Sequence, residues 1–206
     1  MRAVIGVDVG GTTSVAGLVA PDGAVLAEAS APTHHRGPGT AVETLVELIE
    51  SVRGRAREEK LELLGIGLGV PAVVDPSGGR IGGEALHVPE LAGRALGPWL
   101  AERFGLPTFV DNDVNALALA EWTFGAGHGV RSLVVLALGT GLGAGILLDG
   151  RLVRGAEGFA FSRALARTRI RLVPGDKRLT ARGGAALVLY ETARAERAGC
   201  AASPGG

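Results

Sequence analysis

Two glycine–threonine clusters and one run of carboxylates and amides are the parts of this chain equipped for chemistry. Near the start, Asp8 ends an apolar run and is followed by Val9, then Gly10-Gly11-Thr12-Thr13. Adjacent glycines let backbone N–H groups approach an anion closely, as in a phosphate-binding nest. A carboxylate at a strand end can hold magnesium, directly or through water. A second apolar run, Leu133–Leu138, ends in Gly139-Thr140-Gly141, passes Gly143 and resumes at Ile146-Leu147-Leu148. A hairpin whose turn merely needs glycine explains either unit alone. Together they could cradle one polyphosphate from two sides. Between them lies Asp111-Asn112-Asp113-Val114-Asn115, four polar residues in five. Such crowding is costly in a core and cheap at the C-terminal edge of a sheet, where ligands of open α/β folds bind.

The elements that must carry these residues follow from periodicity. Apolar runs predict strands at Ala3–Val9, Val15–Ala20 and Ala24–Ala29. Pro32–Gly39 reads as a loop, with His34 and His35 as a solvated pair rather than a metal site. Thr40 and Glu43 have capping-box spacing, and Val42, Leu45, Val46, Ile49 and Val52 recur at helical spacing, predicting an amphipathic helix over Thr40–Glu59. Leu61–Val70 returns to strand character. Its Gly65, Gly67 and Gly69 alternate with apolar residues and predict close packing on one sheet face. A short helix over Pro98–Phe104, a strand over Pro107–Val110 and an alanine-rich helix to Phe124 follow. Asp149-Gly150 between apolar runs is a two-residue hairpin signal. The order βββα–βα–βα then restarts near Ser132, as a duplicated domain would.

Composition narrows the function classes. The 206 residues carry 21 basic and 21 acidic side chains, so no overall basic excess points to nucleic acid. No apolar stretch is long enough to predict a membrane span, and the opening residues do not resemble a signal peptide. The single cysteine, Cys200, excludes an internal disulfide and makes the cytoplasm the default compartment. There is no Gly-Lys-Ser/Thr of a P-loop. The glycines at 139, 141, 143 and 145 lack dinucleotide-fingerprint spacing and precede a strand rather than a helix. Charge is uneven along the chain: residues 161–206 hold nine basic and three acidic side chains, a net +6 against −6 for residues 1–160.

Over roughly Arg2–Ala160, the motifs GVDVGGTT, GIGLGVPAVVD, FVDNDVNALALAE and LGTGLGAGI, in that order and spacing, resemble the ROK family of sugar kinases. The resemblance implies an α/β, duplicated ribonuclease-H-like fold, shared with actin, hexokinase and the heat-shock ATPases. Residues 1–125 would form the N-terminal lobe and 126–160 the start of the second, with 161–206 an atypical basic tail. It implies ATP- and magnesium-dependent phosphorylation of a hexose hydroxyl, most simply glucose, with an N-acetylated hexosamine as alternative. Asp8, Gly10, Gly11, Thr12 and Thr13 match the first phosphate motif. Gly139, Thr140, Gly141 and Gly143 match the second. Asp113 matches the catalytic base and Asn112 a sugar contact, with Pro71, Ala72 and Glu157 as further substrate-side positions. A carboxylate that takes the proton of an attacking hydroxyl suits that role. The structural alternative for Asp113 is a helix N-terminal charge favoured by the dipole. The partner implied is a small-molecule sugar, with no nucleic acid or membrane, and family members commonly form homodimers.

Departures from the family pattern set the competing expectations. Ala72 stands where the family has Gly, and Glu90 where it has Asn. After Gly155–Ala160, Phe161-Ser162-Arg163 replaces the segment that supplies a Glu and a His to the sugar. The cysteine loop that holds the family's structural zinc is absent, and one thiol cannot replace it. Family members also run on past this length. These features lead to the expectation that the tail from about Phe161 is out of frame or otherwise atypical, with a short helix over Ala185–Arg197. They also lead to the expectation that the second lobe is incomplete and exposes apolar surface. A non-catalytic sugar- or nucleotide-binding module, or an inactive kinase, is the alternative function. Some family members are repressors with an N-terminal DNA-binding helix-turn-helix. The first strand here starts at residue 2 or 3, which favours the kinase branch.

Overall fold

Alternation of apolar and small residues builds a central sheet with one bulky and one slim face. The computed structural model describes residues 1–75, 79–138, 142–154 and 177–201. Strands β1 (Arg2–Val9), β2 (Thr13–Val19) and β3 (Val25–Pro32) form an antiparallel meander, and β4 (Glu62–Val70) lies parallel to β1. After the short β5 (Val74–Asp75) and β6 (Arg80–Ile81), β7 (Thr108–Asn112) adds to β4 in parallel, giving the order β3-β2-β1-β4-β7. The third strand runs to Pro32 rather than stopping at Ala29, because its last residues continue the ladder opposite Thr13 and Ser14.

On one face, Ile5, Val7, Ile66, Leu68 and Val70 share one core with Leu45, Leu48, Ile49 and Val52 of helix α1 (Ala41–Glu58). Helix α2 (Leu96–Phe104) seals the same core with Leu100 and Phe104. It starts two residues before the expected Pro98, and Pro98 sits in the first turn, where its missing N–H breaks no bond. The capping box at α1 does not form. Thr40 Oγ1 donates to the Gly37 carbonyl (2.7 Å) instead, and the Ala41 N–H finds the Glu90 carboxylate at 3.1 Å. Glu90, where the family has Asn, is therefore a cap supplied from across the fold. Its carboxyl also meets His34 Nε2 at 2.7 Å. His35 bonds Thr44 Oγ1 at 2.9 Å and pairs with Glu47. Both histidines lie in the loop, His34 half-buried and His35 exposed, and each is paired with a carboxylate rather than free in solvent.

The opposite face carries Gly6, Gly65 and Gly67, and helix α4 (Lys177–Ala201) lies directly on it. A Cβ on Gly6 would land on the Ala181 carbonyl oxygen, and one on Gly67 on that of Gly184. The close packing expected of the alternating glycines is what the structure shows, and α4 starts earlier than the expected Ala185. Its small residues Ala181, Gly183, Gly184 and Ala185 permit the approach, while Val188 joins Val4 and Val19 in an apolar cluster.

Helix α3 (Asp113–Phe124) packs against α4 and carries the second sheet, β8 (Leu133–Leu138), β9 (Leu142–Leu148) and β10 (Arg151–Leu152). Its order, β10-β9-β8, repeats that of β3-β2-β1. Asp149 and Gly150 both adopt positive φ (47° and 73°), the geometry a two-residue hairpin demands. Leu147, Leu152, Leu187, Ala186 and Tyr190 join Ala118 and Leu119 in the core between α3, α4 and this sheet. Tyr190 accepts the Leu152 N–H at 3.0 Å and meets the Trp122 ring edge-on at 6.4 Å. The other face of β8 and β9 leaves Val134, Leu136, Leu138, Leu142 and Leu148 exposed. Among the described residues, no helix is long and apolar enough to cross a membrane.

Candidate active site

The C-terminal ends of β1, β4 and β7 converge, and each delivers one part of the site. Asp8 comes from β1 on the same face as Gly6. Asn112 ends β7, and Asp113 opens α3. Asp8 and Asp113 line one open cleft of about 120 Å³ with Val114, Ala116, Leu117 and Ala137. That volume suits an ion with its waters or a phosphoryl group, and is well below that of a whole small-molecule site. Two carboxylates at one cleft are hard oxygen donors of the kind magnesium takes. Among the described residues, no group of three or more His, Cys, Asp and Glu is placed to hold a metal alone.

The first glycine turn is braced rather than open. Neither Gly10 nor Gly11 has positive φ, and the Gly10 N–H bonds the Thr13 carbonyl at 3.2 Å, so that N–H is committed within the turn. Thr33, fully buried at the start of the loop after β3, holds the turn from behind. Its Oγ1 donates to the Gly10 carbonyl (2.6 Å), its N–H donates to that of Thr12 (2.9 Å), and Ser14 Oγ lies 2.9 Å from its Oγ1. Thr12 is exposed and Thr13 half-buried at the start of β2. A Cβ at Gly11 would meet that of His87, which places His87 against the turn.

Asn112 caps α3. Its Oδ1 accepts the Val114 and Asn115 N–H groups (3.0 and 3.3 Å), and its Nδ2 donates to Asp113 Oδ1 (2.9 Å). The same Nδ2 lies 3.5 and 3.4 Å from the Val70 and Ala72 carbonyls, so the backbone on either side of Pro71 runs beside Asn112. Burial raises the Asp113 pKa above the ordinary carboxylate value. The Val114 N–H, the Asn112 amide and the nearby His87 oppose that rise without cancelling it.

Asp111 and Asn115 are not at an open edge. They are 3% and 4% exposed. Burial there is compensated: Asp111 Oδ1 accepts the Asn112 N–H (2.7 Å) and the Asn115 amide (2.9 Å), and its Oδ2 accepts Arg154 Nε (2.8 Å). Sequence reasoning counted Asp111 only among crowded polar residues and missed Arg154, His87 and Glu191. Of the residues expected to form a second phosphate motif, Gly143 is described, on β9 against Val114 of α3. Gly139, Thr140, Gly141 and Glu157 lie outside the described residues.

Comparison with known proteins places this arrangement. The ROK family profile matches residues 4–162. Glucokinase from Halalkalibacterium halodurans is 33% identical over 162 residues, 77% of this chain and 48% of that protein. A xylose repressor from Caldicellulosiruptor bescii is 40% identical over 118 residues, 56% of this chain and 29% of the repressor. The crystal structure of a ROK family glucokinase from Streptomyces griseus, in complex with glucose and AMPPNP, superposes with a TM-score of 0.65 at 34% identity. That match covers 77% of this chain and 48% of the other. The chain thus spans about half the length of the glucokinases it matches. A profile match over most of the chain, on the strands and turns that form the cleft, gives the conclusion that this chain belongs to the ROK family.

Proposed function

We propose that the chain carries the phosphoryl-transfer half of an ATP-dependent sugar kinase, acting on a hexose hydroxyl, with glucose as the first substrate to test. The observation that carries this reading is Asp113: a carboxylate at the first turn of α3, raised in pKa by burial and facing one cleft with Asp8. In the reaction Asp113 takes the proton of the sugar hydroxyl and that oxygen attacks the terminal phosphorus of ATP. The bond to the bridging oxygen breaks, and ADP leaves. Asn112 and the Val70–Ala72 backbone orient the sugar. The braced Gly10–Thr13 turn would hold the phosphates on one side, and the family resemblance assigns the other side to Gly139, Thr140, Gly141 and Gly143. Asp8 would hold magnesium, which would supply neutralisation of charge on the transferred group.

The proposal extends to a cytoplasmic protein, a lobe division near residue 125 and a possible homodimer. A coupled ADP-release assay against glucose, mannose, fructose and N-acetylated hexosamines tests it. Turnover with one sugar that Asp113→Asn lowers by at least about 100-fold supports it, and no turnover with any sugar, at protein concentrations where the chain is folded, overturns it. The second reading is a sugar- or nucleotide-binding module without catalysis, and the repressor relative favours it. Calorimetric sugar binding without turnover distinguishes that case. Sequencing the coding DNA across Gly155–Leu165, with translation in all three frames, tests whether the basic tail is read in its ancestral frame.

A further inference from the structure

Three charged side chains from three separate elements meet directly behind the Asn112-Asp113 turn. Asp111 stands one residue before the end of β7, Arg154 just beyond β10, and Glu191 midway along α4. Arg154 Nε and Nη2 reach Asp111 Oδ2 at 2.8 and 2.6 Å, and Nη2 reaches Glu191 Oε1 at 2.7 Å. The Arg154 side chain is 13% exposed, and its guanidinium also lies over the Tyr190 ring, 5.9 Å from its centroid. Arg194 faces the same carboxylate from one turn further along α4, at 3.2 Å. Asp111 spends its other oxygen on the catalytic turn itself, accepting the Asn112 N–H and the Asn115 side-chain amide. It therefore grips the peptide before Asn112 and, through Asn115, the first turn of α3 beyond Asp113. No buried side-chain nitrogen or oxygen among the described residues lacks a partner, so Asp111 has little freedom to rotate while Arg154 is in place.

We propose that Arg154 is a positioning residue for Asp113, acting through Asp111, and that α4 anchors it through Glu191. The proposal rests on the kinase reading for its consequence, not for its geometry. A planar guanidinium suits this place because one fork serves two carboxylates in fixed directions; an ammonium cannot match it. Removing Arg154 leaves buried Asp111 with no cation against its charge and leaves Glu191 with Arg194 alone. Asp111 then turns, and the peptide that presents Asn112 and Asp113 is released. The basic tail is thus part of the site's support.

The test uses the full chain with Arg154→Met, Arg154→Ala, Arg154→Lys and Glu191→Gln. Arg154→Met lowers kcat by about 100-fold, the scale of a misplaced catalytic group, while KM for ATP stays within a few-fold. Glu191→Gln lowers kcat less, and the double variant is no worse than Arg154→Met alone, as for members of one chain of contacts. Guanidinium ion, at concentrations that leave the wild-type melting curve unchanged, restores turnover to Arg154→Ala but not to Asp113→Asn, and Arg154→Lys recovers little. Unchanged kcat in Arg154→Met, or additive losses in the double variant, overturns the proposal. Amide hydrogen exchange at Val114 and Asn115 reads the same turn without catalysis. Faster exchange there in Arg154→Ala, reversed by guanidinium while amides of β1 and β4 stay protected, supports the proposal, and unchanged exchange overturns it. Absence of wild-type turnover alongside the exchange response counts against the kinase reading alone.

Discussion

At the residue scale, Asp113 combines two demands that conflict. Its carboxylate is buried enough for its pKa to be raised, so it is a stronger base than a surface aspartate once ionised, and its ionisation costs stability. The folded state holds its proton to higher pH than the unfolded chain does. Stability therefore falls as pH rises from the ordinary carboxylate value through the raised one. Asp113→Asn is expected to melt at a higher temperature than wild type near neutral pH, with the difference vanishing in acid, by differential scanning calorimetry. Turnover of wild type is expected to fall on the acidic side as Asp113 takes its proton. Glu90 behaves oppositely. Burial works against its charge, but its own N–H, the Ala41 N–H and His34 outweigh that and hold its pKa below the ordinary value. Its contribution is present above the ordinary carboxylate pKa and lost as pH falls through the lowered one. Glu90→Gln is expected to cost about 1 kcal/mol near neutral pH, the scale of a lost helix cap, and nothing at low pH, by urea unfolding.

At the element scale, the contact between the β1–β4 glycine face and α4 joins the first sheet to the rest of the fold. There the sheet and helix backbones touch, so the site supported by Arg154 depends on glycine at 6, 67 and 184. Gly67→Ala is expected to destabilise the protein by about 1–3 kcal/mol, as overpacking does. It should also weaken the near-ultraviolet circular dichroism signal of the Trp122–Tyr190 pair as α4 lifts. Full retention of both properties would mean that α4 does not dock on this face.

At the scale of the whole molecule, the described residues cover only one face of the second sheet. Leu136 and Leu138 are 64% and 82% exposed on β8, an edge strand of its sheet. An edge strand with an apolar face invites pairing with another chain. Sedimentation velocity is expected to show association that grows with concentration, and Leu136→Lys with Leu138→Lys is expected to abolish it without lowering the melting temperature. A wild-type chain that sediments as a monomer at all concentrations would refute this. Strand periodicity in β8 and β9 shows which residues share a face but not what covers it.

What the amino-acid sequence determined by itself is local. Alternation set the strands, helical spacing set α1, Asp149-Gly150 set the β9–β10 hairpin, and the glycine alternation of β4 announced a close neighbour without naming it. These signals lie within a few residues because backbone geometry and turn chemistry act over that range. The placing of Asp113 after Asn112 at a strand-to-helix junction was legible for the same reason. Tertiary structure alone decided which groups complete the site. The Glu90 cap joins residues 49 apart, Arg154 reaches Asp111 across 43 residues, and it reaches Glu191 across 37. No period or motif encodes such pairs. They exist because folding buries carboxylates and a helix end that must then find partners, and the chain brings partners to them only once the sheets and α4 are packed.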